Sequence, residues 1–297
     1  MKIKIAQIGL GKAFYLNNKK FKTFTHSYTL KSLKNFDLVH AIDLKKNKRI
    51  VAKKMFNCET YLKIKSLKNK EFDLIVLSTP KSLHLKNFLQ ILNVLKKPPK
   101  ILLIEKPVGA SLKEAKSIMK ICKQNKILAF VNYFREYDPI FFKIKDFFKK
   151  NSNSTVEYSG NFMDNASHFI SLFLRIFGHV KKIKIIKKTK LGNDFFIDFL
   201  LYFKNNNICN FKSRVKSKNY HSFCIKNPDY NLKYNNYLQT AEIIKNKNNL
   251  TKKYFLNKNF IYVYKNIYNF FTKKKYLVSS VANAVEVHKI MKKCLVK

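Results

Sequence analysis

Short apolar runs alternate with amphipathic segments along the chain from Ile3 to Ala129. Five of these runs have the length of strands, and each ends at a polar residue or a glycine. They are Ile3–Ile8, Leu38–Ile42, Leu74–Leu77, Ile101–Ile104 and Ile127–Val131. Between them, Ser82–Leu95 and Ser111–Gln124 have helical spacing, and the second begins with the Ser-x-x-Glu form of a capping box. This alternation predicts an α/β fold built on a parallel, doubly wound sheet.

The pattern changes after Asn132. We expect a helix with a lysine-rich solvent face, a polar turn, a buried helix ended by Gly178, three strands and a last amphipathic helix. These segments are, in order, Tyr137–Lys149, Asn151–Thr155, His168–Phe177, Val180–Ile186, Phe195–Phe203, Ile208–Val215 and Val281–Leu295. They predict an α+β domain with an open, mainly antiparallel sheet, although residues 219–258 give no readable pattern. We therefore divide the chain into an α/β domain, 1–131, and an α+β domain, 132–297; the family resemblance described below implies that the first is a dinucleotide-binding Rossmann domain and the second a substrate-binding and oligomerisation domain.

The charge of the chain is strongly positive, because 61 Lys and Arg residues face 17 Asp and Glu residues, for a formal net charge of +44. Such a charge would suggest a nucleic-acid or membrane-surface partner. However, the cations are spread over the whole chain and nearly all are lysine, whereas base recognition relies on arginine. Together with the abundant Asn, Ile, Phe and Tyr, this indicates a compositional origin. We expect no specific nucleic acid, but a preference for phosphate-bearing ligands that weakens with salt.

The five cysteines are scattered and show no Cys-x-x-Cys spacing, so we expect neither a metal site nor disulfides. No apolar stretch approaches the roughly 18 residues of a membrane-spanning helix. The apolar residues near Met1 are too few for a signal peptide and lead directly into a glycine turn. The expected location is the cytoplasm, with no membrane partner.

The first predicted strand ends in Gly9-Leu10-Gly11-Lys12. Glycines in such a turn allow backbone amides to approach a pyrophosphate at a helix N-terminus. The third glycine of the usual pattern is replaced by Phe14. Asp43 ends the second strand, where an acidic residue accepts hydrogen bonds from an adenosine ribose, and the lysines that follow it leave NADP open. An ordinary strand–helix turn and a solvated Asp-Leu-Lys-Lys turn are the alternatives.

Two further sets of residues are candidates for acid–base catalysis. Lys106 lies at a strand end, before Pro107, where a lysine beside a cationic nicotinamide could have its pKa lowered enough to move a proton. Asp164 and His168 are four residues apart, a spacing that brings a carboxylate to an imidazole on one helix face. A surface lysine and a capped helix-terminal histidine are the alternatives. No Gly-x-Ser-x-Gly elbow supports a serine hydrolase.

The motifs stand in a specific order along the chain. They are Gly9-Leu10-Gly11, Asp43, Ser78-Thr79-Pro80 with His84, Glu105-Lys106-Pro107-Val108-Gly109, Asn132-Tyr133-Phe134-Arg135 with Pro139, and Asp164 with His168. In this order they resemble the glucose–fructose oxidoreductase/inositol dehydrogenase (Gfo/Idh/MocA) family as far as Val180. The resemblance is thin afterwards, apart from the last helix.

The resemblance implies an N-terminal Rossmann domain, a C-terminal domain whose open sheet often forms homo-oligomers, a nicotinamide cofactor (NAD, with NADP possible) and a sugar, polyol or nucleotide-sugar substrate. Lys106 corresponds to the proton-handling or carbonyl-polarising lysine, His168 to its partner acid/base, and Asp164 to the companion of that histidine. The implied cofactor residues are Gly9, Gly11, Lys12, Asp43, Ser78, Thr79, Pro80, His84, Glu105 and Lys106. The implied substrate residues are Asn132, Tyr133, Arg135, Asp164 and His168. The Lys106–Pro107 peptide bond can be cis in this family.

Four departures from the family pattern affect the function. Phe14 replaces a glycine, Glu136 stands where a second arginine is common, and Ser171 stands where an aspartate often follows the histidine. The connection from Arg135 to His168 is also short, which predicts a trimmed substrate domain. The primary hypothesis is an NAD(P)-dependent sugar oxidoreductase. The alternatives are a catalytically idle NAD- or sugar-binding regulator and, more remotely, an anion-surface binder driven by the positive charge.

Overall fold

The computed structural model of the chain describes residues 2–17, 22–192, 194–215, 221–235, 238–256, 259–273 and 278–296. Its contacts divide into two units. Unit 1 comprises Met1–Tyr137 and Lys258–Val285, and unit 2 comprises Asp138–Asn257 and Glu286–Lys297. None of the helices in the described ranges is long and apolar enough to cross a membrane.

A parallel sheet forms the centre of unit 1. Within the described residues, its six strands have the order β3-β2-β1-β4-β5-β6. The strands are β1 (Ile3–Ile8), β2 (Phe36–Ile42), β3 (Glu59–Tyr61), β4 (Leu74–Leu77), β5 (Ile101–Ile104) and β6 (Leu128–Val131). Every residue of β4 and β5 is buried, as expected for parallel strands that are covered on both faces. The doubly wound α/β fold is thereby confirmed, with its switch point between β1 and β4.

The helices of unit 1 connect these strands. They are α1 (His26–Ser32), α2 (Lys46–Phe56), α3 (His84–Val94) and α4 (Leu112–Gln124). The predicted capping box of α4 is present, because Ser111 Oγ accepts the N–H of Glu114 at 3.2 Å and the Glu114 carboxylate accepts the N–H of Ala110 at 2.8 Å. A glutamate reaching back in this way satisfies amides that a helix start would otherwise leave unbonded.

A helix from much later in the sequence completes unit 1. This helix, α7 (Asn259–Lys273), packs its apolar side into the same core as β1, β2 and β5 through Val263, Tyr264 and Ile267. The contact units therefore differ from the predicted single boundary after residue 131, because residues 258–285 contact the Rossmann core. Helix α8 (Val281–Val296), close to the predicted last helix, contains the second boundary between the units.

Unit 2 is built on a mixed sheet. In the part that the structure describes, eight strands have the order β14-β13-β12-β11-β7-β10-β9-β8. They are β7 (Asn153–Ser159), β8 (Val180–Leu191), β9 (Asp194–Phe203), β10 (Ile208–Arg214), β11 (His221–Lys226), β12 (Tyr230–Asn235), β13 (Thr240–Lys245) and β14 (Leu250–Phe255). Neighbouring strands are antiparallel except for β7 and β10, which are parallel. The predicted, mainly antiparallel α+β domain is confirmed.

Two segments of unit 2 differ from their predictions. The region Asn151–Thr155, predicted as a turn, contains the start of β7, which alternates buried residues such as Val156 and Tyr158 with more exposed ones. The helix predicted over Tyr137–Lys149 is shorter: α5 spans Pro139–Ile144 and is capped by Asp138, whose Oδ1 accepts the N–H of Ile140. The buried helix α6 (Ser167–Phe177) ends at Gly178, with φ +85°, as predicted.

Candidate active site

The carboxyl ends of four parallel strands form one edge of the unit 1 sheet. The first residue after each strand donates its backbone N–H to the last carbonyl of a neighbouring strand. The bonds run from Gly9 to Ile42, from Ser78 to Ile8, from Glu105 to Leu77 and from Asn132 to Ile104, each at 2.8 Å. Four residues that the sequence nominates are thus fixed side by side in one layer. Ligands of doubly wound sheets bind at this edge.

The glycine turn is held against the β4 turn. Gly9 has φ +92°, and a Cβ at this position would lie 2.7 Å from the carbonyl carbon of Ser78. The Ser78 hydroxyl donates to the carbonyl of Gly9 at 2.7 Å. The amide of the buried residue Gln7 donates to the same carbonyl at 3.1 Å. Only glycine fits here without displacing the neighbouring turn.

The second glycine has different surroundings. Gly11 is exposed, and nothing lies within 4 Å of the place that its Cβ would take. Among the described residues, the backbone N–H groups of Gly11, Lys12 and Ala13 have no hydrogen-bond partner. Successive unbonded N–H groups in a turn form an anion-binding concavity, and Lys12 adds a positive charge beside it. These residues fit a pyrophosphate.

The start of α1 is not available to an anion. The N–H groups of His26 and Ser27 donate to the carbonyls of Ala13 and Phe14, each at 3.0 Å, and the N–H of Tyr28 donates to Thr25 Oγ1 at 3.3 Å. The backbone donors that are available to an anion therefore lie in the Gly11–Ala13 turn and not at the first residues of α1. Phe14, in place of the third glycine, is 1% exposed and packs in the core, with its ring 6.1 Å from that of Phe56.

Asp43 lies at the end of β2, beside the glycine turn. Its Oδ2 accepts the N–H of Leu10 at 2.7 Å, and its Oδ1 accepts the N–H of Lys45 at 2.8 Å. An ionised carboxylate has about four acceptor positions, so hydroxyl groups of a ribose can still donate to it. Arg49 Nη1 donates to the carbonyls of Asp43 and Leu44 at 2.7 and 3.0 Å. Arg49 thus places a guanidinium at the end of β2, a role that its sequence context did not indicate.

The buried side chain of His84 contacts the backbone of the Ser78-Thr79-Pro80 turn. This histidine is 1% exposed, with Nε2 at 2.7 Å from the carbonyl of Thr79 and Nδ1 at 3.2 Å from that of Val108. Burial is the largest influence on its pKa and lowers it. A neutral imidazole donates one hydrogen bond, which we assign to the shorter contact. His84 therefore holds the β4 and β5 turns together, while Ser78, Thr79 and Pro80 are the more accessible residues.

The Glu105-Lys106 turn follows β5, and its Lys106–Pro107 peptide bond is cis, as the resemblance implied. Glu105 Oε1 accepts from Asn132 Nδ2 at 2.5 Å, and Oε2 accepts the backbone N–H of Lys106 at 3.3 Å. Burial would raise the pKa of Glu105, but the hydrogen bonds from His26 and Asn132 and the charge of Lys106 outweigh burial and lower this pKa. The carboxylate is thus ionised beside the half-buried Lys106.

Two residues at this site were missed by sequence reasoning. His26 Nε2 lies 3.1 Å from Glu105 Oε1, and His26 Nδ1 lies 2.9 Å from the hydroxyl of Tyr264. The sequence had shown His26 as isolated from acidic neighbours, since Glu105 is 79 positions away along the chain. A histidine at the start of the first Rossmann helix was the only available signal.

The predicted substrate residues of unit 1 follow β6 and are buried. Asn132 is 1% exposed and bonded to Glu105, while Tyr133 is fully buried. Arg135 is also buried, with its guanidinium 4.6 Å from the centre of the Phe134 ring. The neighbouring Glu136 accepts a hydrogen bond from Asn283 at 3.2 Å.

Unit 2 contains the other two predicted residues. Asp164 lies in a single π-helical turn, Phe162–Ala166, that leads directly into α6, and its carbonyl accepts from Ser167 Oγ at 3.2 Å. His168 lies in the first turn of α6 and is 6% exposed. Among the residues described, no cluster of three or more His, Cys, Asp or Glu side chains is placed to hold a metal ion.

Comparison with known proteins agrees with this geometry. Residues 3–133 match the family model GFO_IDH_MocA, described as an oxidoreductase family with an NAD-binding Rossmann fold. No curated protein matches the chain in sequence.

Solved structures with a similar fold cover nearly the whole chain. A dehydrogenase (MviM) from Clostridium difficile has a TM-score of 0.80 and 16% identity, with 99% of each chain covered. The UDP-N-acetylglucosamine 3-dehydrogenase GnnA from Acidithiobacillus ferrooxidans has a TM-score of 0.80 and 14% identity, with 99% of this chain and 97% of that chain covered. An oxidoreductase from Agrobacterium radiobacter, in complex with NAD+, L-tartaric acid and magnesium, has a TM-score of 0.77 and 12% identity, with 99% of this chain and 96% of that chain covered.

The family match covers the sheet edge on which the glycine turn, Asp43 and Glu105 lie. It confirms the predicted nicotinamide cofactor at the level of the family. Residues 3–133 thus match the NAD-binding Rossmann domain of the Gfo/Idh/MocA oxidoreductase family.

Proposed function

We propose that the protein is an NAD-dependent oxidoreductase that transfers a hydride between nicotinamide and a carbinol or ketone of a sugar or nucleotide sugar. The observation that carries the proposal is the Glu105–Lys106 turn, which lies on the same sheet edge as the glycine turn and Asp43. A proton-handling group belongs beside a dinucleotide in such a crevice. The fold similarity to a UDP-N-acetylglucosamine dehydrogenase and the net charge of +44 support a phosphate-bearing sugar.

In the proposed reaction, the cofactor and the site residues have different roles. Bound NAD supplies the hydride acceptor or donor. The neutral amine of Lys106 would take the proton from the carbinol oxygen during oxidation, and the ammonium so formed would return it during reduction. Glu105 holds the backbone of Lys106 through its N–H. In unit 2, His168 is the proposed partner acid/base and Asp164 its companion, on the basis of the family resemblance.

The proposed contacts with the cofactor come from residues at the carboxyl edge of the parallel sheet. Gly11 and Lys12 would hold the pyrophosphate with turn amides, and Asp43 would accept hydrogen bonds from the adenosine ribose. Ser78, Thr79 and Pro80 would form the accessible side of the crevice, with His84 supporting them from below. Arg49 and the lysines after Asp43 would accommodate a 2′-phosphate, so NADP is the alternative cofactor.

Replacing Lys106 with methionine tests the proposal. We expect turnover to fall by about 10²–10⁴-fold, because general acid–base catalysis contributes that much. The dissociation constant for NADH should change by less than about threefold, because the substitution removes a catalytic interaction and leaves the dinucleotide contacts in place. Lys100→Met is the matched control, since Lys100 precedes the amino end of the same strand and forms a surface ion pair with Asp73 at 3.0 Å. Unchanged turnover in Lys106→Met would remove this lysine from the mechanism.

Ligand-dependent melting identifies the cofactor and substrate. A ligand at about 100 times its dissociation constant stabilises the folded protein by about 2.7 kcal/mol. NAD, NADP and a panel of nucleotide sugars, each alone and in pairs, are therefore compared by thermal unfolding. We expect NAD to raise the melting temperature more than NADP, and a nucleotide sugar to raise it further.

A binding protein without turnover is the second candidate function. Glu136 and Ser171 replace residues that the family resemblance leads us to expect, and both are buried, at 1% and 0% exposure. Tight NADH binding without reduction of any ketosugar across a broad panel would favour this candidate. Turnover of a single ketosugar with NADH would exclude it.

A further inference from the structure

A chain of buried polar side chains connects α7 to the Glu105–Lys106 turn. The hydroxyl of Tyr264 lies 2.9 Å from His26 Nδ1, and His26 Nε2 lies 3.1 Å from Glu105 Oε1. Tyr264 and His26 are both fully buried, and the side chain of Glu105 is 14% exposed. We propose that Tyr264, His26 and Glu105 form a hydrogen-bonded relay that keeps Glu105 ionised and thereby positions Lys106. This inference rests on the proposed function, because Lys106 is the residue that the relay serves.

The direction of the hydrogen bonds follows from the tyrosine. Burial, and then the charge of Glu105, raise the pKa of Tyr264 well above its ordinary value, so its hydroxyl keeps its proton. In the proposed relay, the tyrosine donates that proton to His26 Nδ1. A neutral imidazole that accepts at Nδ1 carries its own hydrogen on Nε2, and this N–H points to Glu105. The tyrosine therefore selects the tautomer that donates to the carboxylate.

The surroundings of Glu105 determine its charge. His26 from α1, Asn132 from the end of β6 and Lys106 from its own turn face the carboxylate, and each lowers its pKa. Tyr264 from α7 and His84 from α3 lie close enough to sense its charge. Burial acts in the opposite direction and is the largest single influence. Removal of the His26 donor therefore leaves a buried carboxylate with weaker compensation.

An ionised Glu105 fixes the start of the lysine side chain. Its Oε2 accepts the backbone N–H of Lys106 at 3.3 Å, and the charges of the two side chains attract each other. A neutral carboxyl would be a weaker acceptor and would lose the electrostatic attraction. His26 and Tyr264 are thus positioning residues, which act on Lys106 through Glu105.

The first experiment compares His26→Gln with His26→Leu in thermal unfolding between pH 4.5 and pH 8, without substrate. Neither side chain titrates, but glutamine keeps an N–H donor for Glu105 and leucine does not. With the donor, the lowered Glu105 pKa stabilises the fold above the ordinary glutamate pKa, and this contribution is lost as the pH falls. Without the His26 donor, the Glu105 pKa is higher, so less of this stabilisation is present at neutral and alkaline pH.

We therefore expect the two variants to melt within about 1 °C of each other at the acidic end and about 3–6 °C apart at pH 8, with the leucine variant lower. A difference that is the same at every pH would show a packing defect only and would overturn the relay. The glutamine variant should also turn over substrate at least about tenfold faster than the leucine variant.

The second experiment removes only the tyrosine hydroxyl. We expect Tyr264→Phe to lower kcat by about three- to tenfold with little change in KM for NAD, since the hydroxyl acts on the lysine and not on the dinucleotide. Tyr268→Phe is the matched control: Tyr268 lies one turn further along α7, and its hydroxyl has no hydrogen bond among the residues described. Equal kcat in Tyr264→Phe and Tyr268→Phe would contradict the relay. If the wild type turns over no ketosugar, the proposed function fails, while the pH-dependent melting still decides whether the relay exists.

Discussion

Replacing Gly9 with alanine would place a methyl group against the backbone of the β4 turn. The added Cβ would lie 2.7 Å from both the carbonyl carbon and the carbonyl oxygen of Ser78, and 2.8 Å from the nitrogen of Thr79. The φ of +92° is also unfavourable for any residue with a Cβ. The backbone conformation costs about 1–2 kcal/mol, and forcing the two turns apart costs about 1–3 kcal/mol more. We expect a loss of about 3 kcal/mol in the free energy of unfolding, or about 6–12 °C in melting temperature.

Alanine at Gly11 should have the opposite pattern of effects. Nothing lies within 4 Å of its added Cβ, so the fold should keep its stability or gain about 0.4–1 kcal/mol from a less flexible unfolded chain. The methyl group would, however, enter the space in which the proposed pyrophosphate meets the turn amides. We expect the affinity for NADH to fall by about tenfold or more, equivalent to about 1.4 kcal/mol.

Urea unfolding of both variants measures the free energy of unfolding, and NADH fluorescence titration measures the dissociation constant for NADH. A Gly9→Ala protein as stable as the wild type would refute the close approach of the two turns. A Gly11→Ala protein that binds NADH with wild-type affinity would refute the placement of the pyrophosphate. Each variant serves as the other's control, because the substitution is the same and the positions are two apart.

Two further predictions concern stability. Ser111→Ala removes the cap of α4 and should lower the free energy of unfolding by about 1 kcal/mol, or the melting temperature by about 2–4 °C. Ser117→Ala within the same helix is the control and should not lower either. Equal melting temperatures of the two variants would contradict the capping box. Burial raises the pKa of Asp138 to about 6, so its ionisation above that pH weakens the fold. Asp138→Asn, which keeps the cap of α5, should therefore stabilise the protein by up to about 3 kcal/mol at pH 8 and little at pH 4, and a pH-independent effect in urea unfolding would contradict this assignment.

Strands that are buried on both faces could be predicted from the sequence, and several strands with exposed polar positions could not. The bounds of β1, β4 and β5 were predicted as they are found, because parallel strands covered on both faces are continuous apolar runs. Strand β7 was missed because its buried residues alternate with polar ones in a segment rich in Asn, Ser and Thr. Strands β11, β12 and β13 were unreadable for a similar reason, because polar residues separate their buried ones, and β14 was unreadable because none of its residues is buried.

The residues of the candidate site also differ in how far the sequence could predict them. Gly9, Asp43, Ser78 and Glu105 were predictable because each directly follows a strand, and strand ends of a parallel sheet meet at one edge. His26 and Tyr264 were not, because they are 238 positions apart and only the packing of α7 brings them together. Arg49 was hidden among lysines, and its role depends on the carbonyl geometry at the end of β2.

The return of the chain to unit 1 affects how the protein is synthesised. The first 137 residues contain all six strands of its described sheet, yet Val263, Tyr264 and Ile267 of its core are translated only after most of unit 2. At about 5–20 residues per second, the ribosome delivers α7 several seconds after β6. A nascent Rossmann sheet would wait that long with an uncovered apolar surface, so a fragment truncated at residue 137 should be prone to aggregate.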